Sequence, residues 1–166
     1  MLSSDGSLLT GVDVGDTLYN VMFGNGVAGD VYAGITFDDA RRSEATAVTF
    51  AIVNALNLIG DVGPQDISGC DDSSFCILFN PLTSFKFSEG PVAYRANPYI
   101  ANTDATRWAA GSDTTVTDNF NSAGISTTLV TYERAESPVP TPATLALFGL
   151  GLAGLGISRR KRQTNR

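Results

Sequence analysis

The sequence predicts an α+β fold, a small and mostly antiparallel sheet with one principal helix, followed by a C-terminal single transmembrane helix. Three observations carry that reading. Short runs rich in β-branched and aromatic residues alternate with turn residues such as Gly, Asp, Asn and Pro. Only the stretch between Asp38 and Gly60 repeats its apolar residues at helical spacing. The end of the chain is an uncharged run closed by a basic cluster. The 166 residues divide accordingly into an α+β domain over 1–135, a Pro-rich extended linker over 136–142, a membrane helix over 143–158 and a basic tail over 159–166.

Taken in order, Gly11 to Val14 and Thr17 to Phe23 read as strands joined across Gly15-Asp16, a dipeptide that tolerates the positive φ angles of a tight hairpin. Asp38 or Asp39 caps the helix, because a short carboxylate reaches the free N–H groups of the first turn. Ala45, Val48, Ile52, Ala55, Leu56 and Ile59 form its apolar face, and Gly60 and Pro64 end it. Phe75 to Asn80, Ser84 to Ser88 and Val92 to Arg95 follow as strands. Ile125 to Glu133 alternates, with Ile125, Thr127, Leu129 and Thr131 opposing Ser126, Thr128, Val130 and Tyr132, which predicts a half-buried last strand. A domain of roughly 135 residues is long enough to bury one core.

The tail is read from its physics first. Ala143 to Ile157 carries no charge and only Thr144 is polar; as a helix it spans about 22 Å, short of a hydrocarbon core of about 30 Å. Val139 to Pro142 and Ser158 extend the uncharged stretch, and snorkelling arginines absorb the remaining mismatch. Arg159, Arg160, Lys161 and Arg162 form the stop to translocation, so the N-terminal domain lies on the extracytoplasmic side and the tail in the cytoplasm. Residues 1–158 hold six basic and seventeen acidic residues, and the last eight hold five basic ones. The net charge of −6 therefore hides an acidic domain and a cationic end. No basic patch with interleaved aromatics precedes the tail, and nucleic acid is excluded as a partner. Gly149, Gly151 and Gly154 spell G-x-G-x-x-G, but no strand–helix context or later acid accompanies them, so they read as small residues of a membrane helix, with Gly149 and Ala153 one weak packing pair.

The order of Val139-Pro140-Thr141-Pro142, Ala-Thr-Leu-Ala-Leu, a Gly/Leu/Ala span and an Arg-rich terminus resembles the PEP-CTERM sorting signal of Gram-negative bacteria. The resemblance covers about a sixth of the chain. It departs from the family at the middle signature position, normally Glu and here Thr141. It implies an exported protein whose tail is recognised and removed by an exosortase-type membrane protease, in a system associated with exopolysaccharide and biofilm matrix. The protein would rest briefly in the inner membrane before reaching the cell surface or the extracellular space. Pro138, Pro140 and Pro142 hold Ser137 to Thr141 extended, the backbone form a protease accepts. The alternative is a plain single-pass anchor that is never cut. The first hairpin, the helix and the Cys loop are also similar to an uncharacterised ectodomain type found on other PEP-CTERM proteins.

Met1 to Thr10 has no basic n-region and no apolar h-region, so the expectation is that an in-frame signal precedes Met1 in the gene. Cys70 and Cys76 are the only cysteines, and an even count in an oxidising compartment favours a disulfide. Free thiols are one alternative. A metal site is the other, and with no His in the chain it lacks ligands, so no metal and no cofactor are expected. The absence of His also removes Ser-His and Cys-His nucleophile pairs, and the chain is read as non-enzymatic. The acid pairs Asp38-Asp39 and Asp71-Asp72 leave a polysaccharide hydrolase as an alternative. The second pair, with loop carbonyls, is also a candidate Ca²⁺ site. Trp108, Tyr94 and Tyr99 are candidates for a sugar-stacking surface in a carbohydrate-binding module, the remaining alternative to a matrix protein with polysaccharide as partner. Thr114, Thr115, Thr117, Ser126, Thr127 and Thr128 are candidate O-glycosylation positions.

Overall fold

Two sheets and one long helix build the domain. The computed structural model describes residues 1–70, 74–86, 88, 90–96, 100–102 and 107–135, all within the unit Met1–Ala135. Strand β1 (Leu8–Val14) turns into β2 (Thr17–Gly24), with Val14 opposite Thr17. Gly15 and Asp16 take φ of 51° and 70°, the pair of positive angles a two-residue hairpin of native twist demands. The first ten residues join this hairpin. Leu2 bridges Leu9, the Ser3 N–H donates to the Leu8 carbonyl at 2.8 Å, and the Met1 ammonium donates to the Thr10 carbonyl at 2.6 Å.

A single helical turn, α1 (Ala28–Val31), precedes the principal helix α2 (Asp39–Ile59). Asp38 is the cap, its carboxylate accepting the Arg41 N–H at 2.7 Å, and Gly60 at φ 71° closes the other end as an L side chain could not without strain. Twenty-one residues make a helix of about 32 Å, whereas six strands span about 24 Å between their outer members. The helix is thus long enough to cross the large sheet, and it packs on β1 and on β7 (Trp108–Ala110), the two edges. Ala45, Val48, Thr49, Ile52 and Leu56 are its buried residues, and Ala55 is half-buried. Ile59, expected on the same face, is 46 % exposed. The helix meets its last strand at Asn57, whose side chain accepts the Trp108 N–H at 3.0 Å and donates to the Trp108 carbonyl at 2.9 Å, so Leu58 and Ile59 lie beyond the sheet. That amide clamp also satisfies backbone groups an edge strand would otherwise leave open.

The remaining strands are β3 (Cys76–Phe79), β4 (Thr83–Lys86), β5 (Val92–Ala96), β6 (Ile100–Asn102), β8 (Thr114–Thr117) and β9 (Thr127–Arg134). The large sheet runs β1-β2-β9-β3-β6-β7 and the small one β4-β5-β8. The expectation of one small sheet is therefore corrected to two, the larger mixed because β3 lies parallel to β9. The expectation of a half-buried last strand is corrected too. Thr128, Leu129, Val130 and Tyr132 are all buried, because β9 sits in the middle of the sheet between β2 and β3 and both its faces are covered. Sequence periodicity misses β6, β7 and β8, three or four residues each, too short to display an alternation. Each fully buried Ile52, Leu56, Leu78 or Ile100 contributes roughly 1.5–3 kcal/mol by leaving water.

Among the described residues, no helix is long and apolar enough to cross a membrane. The expected linker over 136–142, membrane helix over 143–158 and basic tail over 159–166 lie outside the described residues.

Candidate functional site

The domain ends on β9, a strand paired on both sides. β9 pairs with β2 from Gly24 opposite Leu129 to Tyr19 opposite Arg134, and the Ala135 N–H still donates to the Leu18 carbonyl at 2.8 Å. Side chains lock the same end. Glu44 of α2 accepts the Tyr19 hydroxyl at 2.5 Å and Arg134 Nη2 at 3.2 Å. Burial pushes the Glu44 carboxyl up, but the hydrogen bonds from Tyr19 and Arg134 outweigh it and hold the group below its ordinary value. Burial and the bond to Glu44 push the Tyr19 hydroxyl up. Arg134 is 72 % exposed, so water screens most of the attraction in its ion pair. Beside it the Arg41 guanidinium lies 3.8 Å over the Tyr132 ring, and Tyr19 packs edge-on to Tyr132 at 5.6 Å. Arg41 Nε and Nη2 and the Tyr132 hydroxyl are buried without hydrogen-bond partners; the ring face is what compensates the cation. Burial pushes the Tyr132 hydroxyl up. This cluster has no local signal, since Glu44 stands 25 positions from Tyr19 and 90 from Arg134.

Cys70 and Cys76 are joined as a disulfide, with Cα atoms 5.6 Å apart. Gly69 seats the loop: at φ 89°, a Cβ there would come within 2.4 Å of Asn25 Oδ1 and 2.7 Å of Thr128 Oγ1. Cys76 opens β3, so the bridge ties the incoming loop to the strand that lies parallel to β9. Asp71 and Asp72, the candidate hydrolase pair and Ca²⁺ ligands, lie outside the described residues.

The aromatic surface proposed for sugar stacking is corrected. Trp108 is 1 % exposed and its indole N–H donates to the Val62 carbonyl at 2.7 Å. Tyr94 is 7 % exposed and packs against Tyr32 with ring centroids 5.1 Å apart. Both are core residues because each ring closes a gap between elements; Tyr99 lies outside the described residues. Thr128 is removed from the glycosylation candidates as well, being buried with its hydroxyl donated to the Gly24 carbonyl at 3.1 Å. Of the Asp38-Asp39 pair, Asp38 caps α2 and Asp39 is the helix's first residue. Among the described residues, no three of Asp, Glu and Cys converge as a metal site.

The described residues form a disulfide-bearing α+β domain that ends at Ala135. The family model of the PEP-CTERM protein-sorting motif matches residues 138–162, and the chain carries that motif. The matched stretch contains Val139, Pro140, Thr141 and Pro142 at one end and Arg159, Arg160, Lys161 and Arg162 at the other, all outside the described residues. The motif implies an exported protein that passes through the membrane and is processed by an exosortase-type membrane enzyme. No curated protein and no solved structure matches the chain.

Proposed function

We propose that this is a non-enzymatic protein of the cell surface or extracellular matrix, exported as a folded or folding domain, held in the membrane by residues 143–158, and released by cleavage near Pro142. The single observation that carries the reading is the match of the sorting motif to residues 138–162. Physical reasoning supports the division of labour within the motif. The prolines at 138, 140 and 142 keep the backbone extended for a protease, the apolar run holds that backbone at the membrane surface, and Arg159 to Arg162 stop translocation. Exopolysaccharide is the proposed surrounding, and Thr141 in place of the usual Glu slows cleavage without abolishing it.

The domain contributes a closed structure that survives outside the cell. Its disulfide suits an oxidising compartment, and its charge, acidic up to the tail, keeps it soluble among like-charged chains. The test is a graft: residues 136–166 fused to an unrelated exported reporter. Release of the reporter from the membrane, dependent on the host's sorting protease, supports the reading. A reporter that stays in the membrane fraction in both strains makes the tail a plain anchor.

A further inference from the structure

A cleft of about 330 Å³ opens between the first turns of α2 and the small sheet, lined by Arg42, Thr46, Leu82, Thr83 and Arg95. Its charge runs against that of the domain. Residues 1–135 hold sixteen acids and six bases, yet among the described residues two of those six bases line this one opening and no acid does. The polar groups come from two rigid elements. Arg42 and Thr46 stand one helical turn apart on the same face of α2, and Thr83 is directly opposite Arg95 across the β4–β5 ladder.

The Arg95 guanidinium lies 5.3 Å from the Phe85 ring centroid, a ring contact that holds the side chain without using its N–H donors. Arg95 pairs with Asp113 at 3.6 Å, both side chains about half exposed, a geometry in which water screens most of the attraction. Arg42 sits in the first turn of α2, where the helix dipole disfavours a cation and an added anion relieves the mismatch. Two guanidiniums present donors in a fork that fits a carboxylate. The Thr46 hydroxyl donates to the Arg42 carbonyl at 2.9 Å, so toward the cleft it offers acceptor lone pairs, suited to a hydroxyl of the ligand rather than to its charge.

The geometry points to a binding site for a hydroxy acid of sugar-acid type, with the carboxylate between Arg42 and Arg95 and a hydroxyl on Thr46. The cleft belongs to the domain, and its chemistry does not depend on how the tail is processed. The experiment titrates glucuronate, and separately inorganic sulfate, into the ¹⁵N-labelled full chain in zwitterionic micelles at low ionic strength, following the amides of Arg42, Thr46, Thr83 and Arg95 by NMR. Glucuronate shifts these signals saturably, and Arg42→Gln and Arg95→Gln each weaken binding at least about tenfold. Lys86→Gln, which removes the same charge from the far end of β4, leaves it unchanged, and sulfate binds more weakly than glucuronate. Both arginines are exposed, so the variants keep the fold, which unchanged shifts in the core confirm. Linear, unsaturating shifts, equal losses in Lys86→Gln, or sulfate binding as tightly as glucuronate would each overturn the assignment.

Discussion

Replacing Cys70 and Cys76 together by alanine removes the covalent closure that holds the approach to β3. The two residues are six positions apart. On the chain-entropy account, closing so small a loop restricts the unfolded chain by about 7.4 cal/mol/K, or about 2.2 kcal/mol at 25 °C. Cys76 is also fully buried, and trimming its sulfur leaves a void of roughly methylene size that costs about 1 kcal/mol more. The double variant should therefore lose about 3 kcal/mol, roughly a 10 °C fall in melting temperature for a domain of this length. Reduced wild type loses the closure but keeps both sulfurs, so it should fall by only about two thirds as much. The assay is urea and thermal unfolding followed by far-UV circular dichroism, for oxidised, reduced and double-alanine protein side by side. A reduced protein melting within 2 °C of the oxidised one would show that the closure does not constrain the unfolded chain and refute the reasoning.

Other substitutions test the elements that position the domain. Asp38→Ala removes the bond to the Arg41 N–H and should cost about 1 kcal/mol, read as a lower urea midpoint at unchanged slope. An unchanged midpoint would mean that Asp39 takes over the cap. At Gly6, with φ 67°, a Cβ would lie 2.0 Å from the Asp66 carbonyl oxygen, so Gly6→Ala should destabilise by at least about 2 kcal/mol through strain and displacement of the N-terminal turn; a loss below 0.5 kcal/mol by the same assay contradicts that. Acid sensitivity follows from two carboxylates held low in the folded state. Glu44 lies below its ordinary 4.5, and hydrogen bonds from Ser3 and Ser7 hold Asp5 down to about 2 from 3.8. The unfolded chain binds more protons around those ordinary values, so both contributions are present above them and are lost as pH falls, that of Asp5 through about 2. Glu44→Gln should flatten that limb of the stability curve, and an unaltered limb would place the acid sensitivity elsewhere.

Local chemistry was the legible part of the fold. Gly15-Asp16 announces a hairpin because few residues accept two positive φ angles, and Asp38 announces a helix because a cap is a contact within three residues. Ala45, Val48, Ile52 and Leu56 show their shared face because they belong to one element. What stayed hidden depends on partners far along the chain. The parallel pairing of β3 with β9 joins residues some fifty positions apart, and no pattern within either strand encodes it. Trp108 looks like an aromatic free to stack on a ligand until Val62 and Asn57 are brought to it. Ile59 keeps the helical period although the sheet beneath it has ended. The sorting segment was legible for the opposite reason, since a proline-bracketed signature before an apolar run is written in one contiguous stretch of sequence. The Arg42–Arg95 cleft was not, because its walls come from α2 and two strands that only the fold brings together.

The most direct measurement is the intact mass of the protein, tagged within the domain, isolated from its host with the sorting protease present and with it deleted. Processing predicts a mass lacking the segment after about Pro142 only when the protease is present, with the shortened form outside the membrane fraction. The same full mass in both strains, retained in the membrane, would contradict sorting and leave the tail as an anchor.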